Sequence, residues 1–216
     1  LNQQYYTKIQ LNQLIKQFDP HFTMNVLSNI GAHIMNDDKE LAYDYLLKLS
    51  YLLRSVLEDH EIFMKTIEEE IKFLENYCEI QKLKLNDLFN YSIDVHETVD
   101  KGIRIPKMLL QSFVENSIKH GINPKPEGGY VHVYLEKIGH EMIATILDNG
   151  IGRKAAEKKG TSGTRKGQKI TKELFELINK LTRKEIRYEI IDHYDEKQKP
   201  MGTEVKISFP VDAFPK

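Results

Sequence analysis

Hydrophobic positions divide this chain into two textures. From residue 1 to about 86 they recur at helical spacing. Leu11, Leu14, Ile15, Phe18, Phe22 and Val26 fall three or four residues apart, the period of one buried helix face. Asn36-Asp37-Asp38 then offers a turn and cap, and E-L-A-Y-D-Y-L-L-K-L-S-Y-L-L-R-S-V-L-E (40 to 58) predicts a strongly amphipathic helix. A third helical stretch covers 65 to 85, after a break near His60. Helices this long, with apolar faces and little else to cover them, need partners. Antiparallel hairpins pairing into a four-helix bundle supply them.

One residue interrupts the first helix. In L-I-K-Q-F-D-P-H-F-T-M-N (14 to 25), Pro20 stands directly before His21. Proline inside a helix costs roughly 3 kcal/mol through the lost hydrogen bond and a clash with the preceding turn. Two readings follow. Asp19 is an N-cap with Pro20 as the first helical residue, or the helix runs through and bends at Lys16 to Pro20. In the second case Gln17, His21, Asn25 and Asn29 line one polar face.

After residue 86 the pattern changes. F-N-Y-S-I-D-V (89 to 95), Y-V-H-V-Y-L-E (130 to 136), E-M-I-A-T-I-L-D (141 to 148), I-R-Y-E-I-I (186 to 191) and T-E-V-K-I-S-F (203 to 209) read as strands. Between them, 105 to 121 reads as a helix with Pro106 near its start and Gly121 as its stop. A glycine- and lysine-rich loop covers about 152 to 168, and a helix follows over 169 to 182. Helices on one face of a mixed sheet make a two-layer α/β sandwich. The chain therefore divides into a helical module, 1–86, and an α/β module, 87–216.

Composition narrows the classes. The 216 residues carry 31 Lys+Arg against 32 Asp+Glu, a net charge of -1. No basic excess is available to neutralise a phosphate backbone, which argues against nucleic-acid binding. A single cysteine, Cys78, leaves no internal disulfide and no Cys-pair zinc site, in keeping with a reducing, cytoplasmic setting. No apolar run approaches the roughly 18 residues of a membrane span. The chain opens on Leu1 rather than Met, so a longer protein with a membrane segment elsewhere is compatible with it.

Four stretches of the second module carry candidate chemistry. In V-E-N-S-I-K-H-G (114 to 121), Asn116, Lys119 and His120 share a helix face. An amide oxygen with two cationic neighbours can hold a divalent metal and the phosphates it bridges; a basic helix end that favours the dipole has the same pattern. D-N-G-I-G (148 to 152) follows an apolar strand. There a carboxylate can accept from a purine amine while glycines let the backbone pass close to a flat ring, or Asn-Gly simply makes a hairpin turn. K-K-G-T-S-G-T-R-K-G-Q-K-I (158 to 170) is an anion cradle before a helix or a solvated loop. G-T-E-V-K-I-S-F-P (202 to 210) reads as a closing strand after a turn glycine.

Their order and spacing carry more than any one of them. A helix with Asn, two strands ending in Asp-x-Gly-x-Gly, a glycine lid, a helix and a Gly-Thr strand together resemble the GHKL ATP-binding fold. Adding K-Q-F-D-P-H-F-T-M-N-V-L-S-N-I (16 to 30), L-S-Y-L-L-R (49 to 54), Y-C-E-I-Q-K-L-K-L (77 to 85) and 105 to 121 narrows the resemblance to LytS-like sensor histidine kinases, over about residues 14 to 210. The resemblance implies an N-terminal helical hairpin in a dimeric four-helix bundle, followed by a GHKL-type α/β sandwich. It implies that His21 accepts phosphate, that Asn116 holds Mg²⁺ on ATP with Lys119 and His120 beside the phosphates, and that Asp148 reads adenine. Gly150 and Gly152 then shape the pocket, and Gly163 and Gly167 belong to the lid. The implied partners are a second copy of the chain, a response regulator whose aspartate receives the phosphoryl group, and an upstream sensor outside this chain.

The sequence departs from the pattern in three places. Phe22 rather than an acidic residue follows His21, as is normal for the LytS-like group, leaving Asp19 and Glu115 as candidate bases. In the lid, Arg165 stands where a middle glycine is expected and Gln168 where a leucine is. A lid so altered admits an alternative, a scaffold that acts by dimerisation without turnover. A GHKL ATPase is the other alternative, although Ser112 occupies the position of the glutamate that such ATPases use.

Overall fold

The computed structural model describes residues 20–57, 64–85, 88–107, 109–158, 163–182 and 185–211, with backbone alone at 20–22, 56–57, 163–170 and 181–182. The bend expected at Lys16 to Pro20, with Asp19 and Gln17, and the break near His60 lie outside the described residues.

Helix α1 (Pro20–Met35) and helix α2 (Lys39–Leu57) form a hairpin. Its turn is tied by Asp38 N donating to His33 O at 3.0 Å, and Asp37 takes a φ of 62°, a conformation short polar side chains tolerate. Val26 and Ile30 of α1 bury with Ala42, Tyr45, Leu49 and Leu52 of α2 in the core. Strand β1 (Met64–Thr66) then leads into helix α3 (Ile67–Lys84). That helix opens on a capping box: the Thr66 hydroxyl accepts from Glu69 N at 3.1 Å, and Glu69 Oε2 accepts from Thr66 N at 2.7 Å. Two orphan donors are satisfied at once, and three acidic residues in the first turn favour the positive end of the dipole.

Contacts of α3 cross the boundary expected near residue 86. Glu70, fully buried, accepts at Oε1 from Leu110 N and Gln111 N, each at 3.3 Å, while Lys65 Nζ lies 2.6 Å from its Oε2. Tyr91 donates its hydroxyl to Glu79 at 2.7 Å. The third helix is thus fastened to the sheet module at both ends, and one core cluster runs from Val26 to Phe209.

Among the described residues, strands β2 (Phe89–Val95), β4 (Gly129–Ile138), β5 (Glu141–Asp148), β7 (Pro200–Pro210) and β6 (Arg187–Tyr194) form one sheet in the order β2-β4-β5-β7-β6. The β2–β4 pair is parallel and the others antiparallel. Alternation places Val131, Val133, Leu135, Met142, Ala144, Ile146, Val205, Ile207 and Phe209 on the buried face, as a period of two requires. Helix α6 (Gly163–Thr182) packs Leu174, Phe175 and Ile178 into the same core. Phe175 and Tyr188 meet with ring centroids 4.5 Å apart. No helix among the described residues is long and apolar enough to cross a membrane.

Two expectations need correction here. Residues 105 to 121 are not one helix. Arg104–Pro106 is strand β3, paired with β1 as Lys65↔Ile105; proline is tolerated in a strand this short because it sits at the rim of a two-stranded sheet. The helix α4 then covers Gln111–Asn116 and continues as a π-helical stretch over Ser117–Ile122, so Gly121 lies inside it rather than ending it. The segment 152 to 168 is not one open loop either. Arg153–Lys158 forms the short helix α5, and α6 already begins at Gly163.

Candidate functional site

The site is built where β5 ends and the π-helical stretch passes over it. Strand alternation turns Asp148, the last residue of β5, onto the buried face, opposite Val131 on one side and Thr203 on the other. Its side chain is 4% exposed. Oδ1 accepts from Gly150 N at 2.8 Å, and Oδ2 accepts from Ser117 Oγ at 2.9 Å. Burial pushes the Asp148 carboxyl above its ordinary value, against the pull of hydrogen bonds from Gly150, Ser117 and the Thr203 backbone, with Asp192 adding to the rise.

Glycine is required around this carboxylate by close approach. A Cβ on Gly150 would stand 2.6 Å from the Gly121 carbonyl carbon and 2.8 Å from Asp148 Oδ1. Ile151 N donates to Gly121 O at 3.0 Å, so turn and helix are stitched backbone to backbone. Gly152 has a φ of 77°, where an L side chain is strained, and its Cβ would lie 2.8 Å from Pro200 Cβ. Gly202, at φ 121°, brings β7 against Asp148 O and Asn149. The turn is further held by Asn149 Oδ1, which accepts from Tyr130 N at 2.8 Å, and by Lys125 Nζ, which donates to Asn149 O at 2.8 Å.

Above Asp148 opens a cleft lined by Asn116, Ser117, His120, Gly152, Arg153 and Thr203 among others. Phe113, Tyr188, Ile190 and Val205 give it apolar walls, the usual character of a small-molecule site with a few placed polar groups. His120 Nδ1 is buried and has no hydrogen-bond partner. Burial, and then the charge of Lys119, lower the pKa of that imidazole, so it is neutral near pH 7. At the mouth, Arg153 clamps Asp192 with two bonds, Nε–Oδ1 at 2.8 Å and Nη2–Oδ2 at 2.7 Å, the fork geometry natural to arginine.

Of the residues picked out in the sequence, the structure brings Asn116, His120, Asp148 and Gly152 into one cleft, with Gly150 supporting Asp148 from below. Lys119 is set apart from them. It is exposed and lines the adjoining cavity with Glu115, Asn25 and Asn29; a π-helical turn holds more residues than an α-helical one, so a position three residues on from Asn116 no longer returns to the same face. Gly163 and Gly167 are helical, within α6; the lid residues 159 to 162 lie outside the described residues, as do the side chains of Arg165 and Gln168. His21 lies in the first turn of α1, and nothing beyond its backbone is described. Sequence reasoning missed Ser117 and Thr203 as partners of Asp148, and Arg153 with Asp192. The Gly-Thr pair, which lies within β7, was a visible signal for Thr203; the Ser117 bond had none without the π-helical register.

A family model described as "Histidine kinase" matches residues 9–89. An uncharacterized sensor-like histidine kinase of Staphylococcus epidermidis is 33% identical over 144 residues, covering 67% of this chain and 27% of that protein. The chain belongs to the histidine kinase family. The sensor protein LytS of Staphylococcus saprophyticus is 30% identical over 143 residues, 66% of this chain and 24% of that one. The chain thus spans about a quarter of the length of those relatives. A solved structure described as a bacterial phosphotransferase superposes with a TM-score of 0.53 at 12% identity, covering 93% of this chain and 96% of that one, a likeness of fold.

The family implies ATP, and the residues of the cleft fit it. The cleft opens directly beside Asp148 between the apolar walls of Phe113, Tyr188, Ile190 and Val205, and the orphaned His120 Nδ1 offers a buried polar atom for a ribose or phosphate oxygen. Among the described residues no group of three His, Cys, Asp or Glu could hold a metal ion. That is compatible with magnesium, which takes one or two protein ligands when phosphates and waters supply the rest, and Asn116 is the amide oxygen available for it in the cleft.

Proposed function

We propose that this chain is the kinase region of a two-component sensor, which transfers the γ-phosphoryl group of ATP to His21 and passes it to an aspartate of a response regulator. The observation that carries the reading is the Asp148 constellation: a buried carboxylate oriented by Gly150 and Ser117, facing a cleft that Asn116 and His120 also line.

In this reading Asp148 accepts a hydrogen bond from the adenine amine, and Gly121, Gly150 and Gly152 keep the floor low enough for the ring. Asn116 holds Mg²⁺ on the phosphates, and the bound ion supplies charge neutralisation. His120, neutral, presents Nδ1 to the nucleotide without adding repulsion to the metal. His21 supplies the nucleophile, a role a neutral imidazole fills near pH 7. Catalysis is then mainly positioning and electrostatics around an in-line transfer. No carboxylate stands at position 112, where Ser112 is found, which disfavours water activation and hence a simple ATPase.

A homodimer is part of the proposal. Met24, Leu27, Ile34 and Met35 of α1 and Tyr43, Leu46 and Leu47 of α2 are exposed. That apolar stripe on a hairpin is what a second hairpin would cover in a four-helix bundle. The reading also includes an upstream sensor and a membrane segment outside these residues, with the kinase region on the cytoplasmic side; the greater length of the relatives is in keeping with it.

The test is incubation with labelled ATP and Mg²⁺, comparing wild type with His21→Ala and Asn116→Ala. Acid-labile label lost in both variants is the expected result. Nucleotide binding with no label would replace the kinase by a scaffold acting through dimerisation. Steady phosphate release that survives His21→Ala would point to an ATPase.

A further inference from the structure

The buried carboxylate beneath the cleft shares its row of the sheet with a second one. Asp148 of β5 pairs with Thr203 of β7, and Thr203 pairs in turn with Asp192 of β6. Residues directly opposite one another in a sheet point to the same face. Asp148, Thr203 and Asp192 therefore stand in line, two strand spacings or roughly 10 Å from end to end. Asp192 also follows Tyr188 and Ile190 at a period of two along β6, and those two residues wall the cleft. The Asp192 side chain is 19% exposed, so its charge is only partly screened by water.

Two like charges on one row oppose each other. Burial holds the Asp148 carboxyl above its ordinary range, and Asp192 adds to the rise. The other groups facing Asp148 bring no compensating charge. Ser117, the Gly150 amide and the Thr203 backbone are neutral donors. Burial keeps His120 neutral near pH 7 and Tyr188 protonated, and Lys119 is turned to the adjoining cavity. Arg153, the first residue of α5, is the cation that lines the cleft. Its two bonds to Asp192, at 2.8 and 2.7 Å, commit its charge to that carboxylate.

The charge on Asp148 decides which purine fits. Adenine carries an amine where guanine carries a carbonyl oxygen. An ionised carboxylate accepts from the amine and repels the carbonyl; a protonated one can donate to the carbonyl. We infer that Arg153 is a specificity-determining residue: by neutralising Asp192 it keeps Asp148 an acceptor and holds the site selective for adenine over guanine nucleotides into the acid range. Arg153 acts through Asp192 and Asp148, without touching the base. The inference rests on the reading of the cleft as an ATP site.

The test follows ATP and GTP affinity against pH by calorimetry, in wild type, Arg153→Gln, Asp192→Asn and the double variant. The acid limb that disappears in Asp148→Asn marks the titration of Asp148. Arg153→Gln leaves Asp192 uncompensated, so the limb moves to higher pH, and at the wild-type midpoint the ATP-to-GTP affinity ratio falls at least threefold. Asp192→Asn leaves the arginine charge uncompensated, so the limb moves to lower pH. The double variant returns it toward wild type. A clamp that serves only as a mechanical tie changes both single variants in the same direction. That result, or a limb unmoved in Arg153→Gln, overturns the inference. Where circular dichroism shows Arg153→Gln misfolded, Asp192→Asn decides alone, and a limb that does not move to lower pH overturns it. Wild-type protein that binds no ATP, or binds ATP and GTP equally at neutral pH, contradicts the ATP reading itself, so the two failures are distinct.

Discussion

Gly121 and Gly150 pack backbone against backbone beneath the cleft, so that a Cβ on Gly150 would stand 2.6 Å from the Gly121 carbonyl carbon. This contact brings the turn after β5 against the π-helical stretch, and Asp148 sits between them. Gly150→Ala would have to part the two backbones, and overpacking of this kind costs about 1–3 kcal/mol. Gly150→Ala is expected to lower the thermal midpoint and to weaken ATP binding at least tenfold, measured by calorimetry. Gly121→Ala, whose Cβ meets Asp148 Oδ1 at a less severe 3.1 Å, should lose less on both counts. Equal losses would show that the contact does not shape the site.

Asp148 makes binding and stability respond to acid in opposite directions. Its folded pKa is raised by burial. The group therefore contributes stability that is fully present below its unfolded pKa and lost as pH rises through the folded pKa. In the proposed function the ionised carboxylate accepts from the adenine amine, so nucleotide affinity is expected to fall as pH drops through that same folded pKa, above the ordinary Asp value. Titrating ATP affinity against pH should show this acid limb, and Asp148→Asn should abolish it while weakening binding at neutral pH. An acid limb that persists in Asp148→Asn belongs to another group.

Glu70 is the bolt between the helical and α/β modules. Glu70→Ala leaves Lys65, largely buried and 2.6 Å from the lost carboxylate, without its partner, and leaves the amides of Leu110 and Gln111 unsatisfied. Breaking a buried pair from one side costs about 3–5 kcal/mol. Denaturant unfolding should show a loss of this size, and a value near zero would mean that the fastening is not used.

The Arg153–Asp192 clamp ties the start of α5 to β6 at the cleft mouth. Lys154, over the Tyr194 ring at 5.3 Å, reinforces it. Both partners of the clamp are partly exposed, so its loss should cost stability only about 0.5–1 kcal/mol. The larger effect is expected on nucleotide dissociation, several-fold faster in Arg153→Ala and Asp192→Ala alike. A double variant no worse than either single one would show that they act as a unit.

Much of this fold was legible in the chain because its signals are periodic. The alternation over 89–95 and 141–148 marked the observed strands at their observed bounds, and the apolar face of 40 to 58 marked α2 within one residue. What escaped is what leaves no period. A three-residue pairing such as β1 with β3 shows no alternation, and Pro106 reads as a helix start until its partner is seen. The π-helical stretch at Ser117–Ile122 departs from the α-helical register read from the sequence; Lys119 lines a different cavity from Asn116, and Ser117 meets Asp148. The glycines at 163 and 167 argued for an open loop, because each costs a helix about 1 kcal/mol against alanine. The packing of Leu174, Phe175 and Ile178 further along α6 outweighs that local cost. Of the site, Asn116, His120, Asp148 and Gly152 were found by motif order, and Arg153 and Asp192 were not, since nothing in sequence pairs residues 39 positions apart.

The account turns on a phosphoryl group reaching His21. The direct measurement is mass-spectrometric mapping of the wild-type chain after incubation with Mg²⁺ and ATP, kept at alkaline pH to preserve a phosphoramidate. The account predicts one phosphoryl group, on the peptide bearing His21, that is lost on brief acid treatment and absent from Asn116→Ala. Phosphate on another residue, or an unmodified His21 peptide from protein that demonstrably binds ATP, would contradict it.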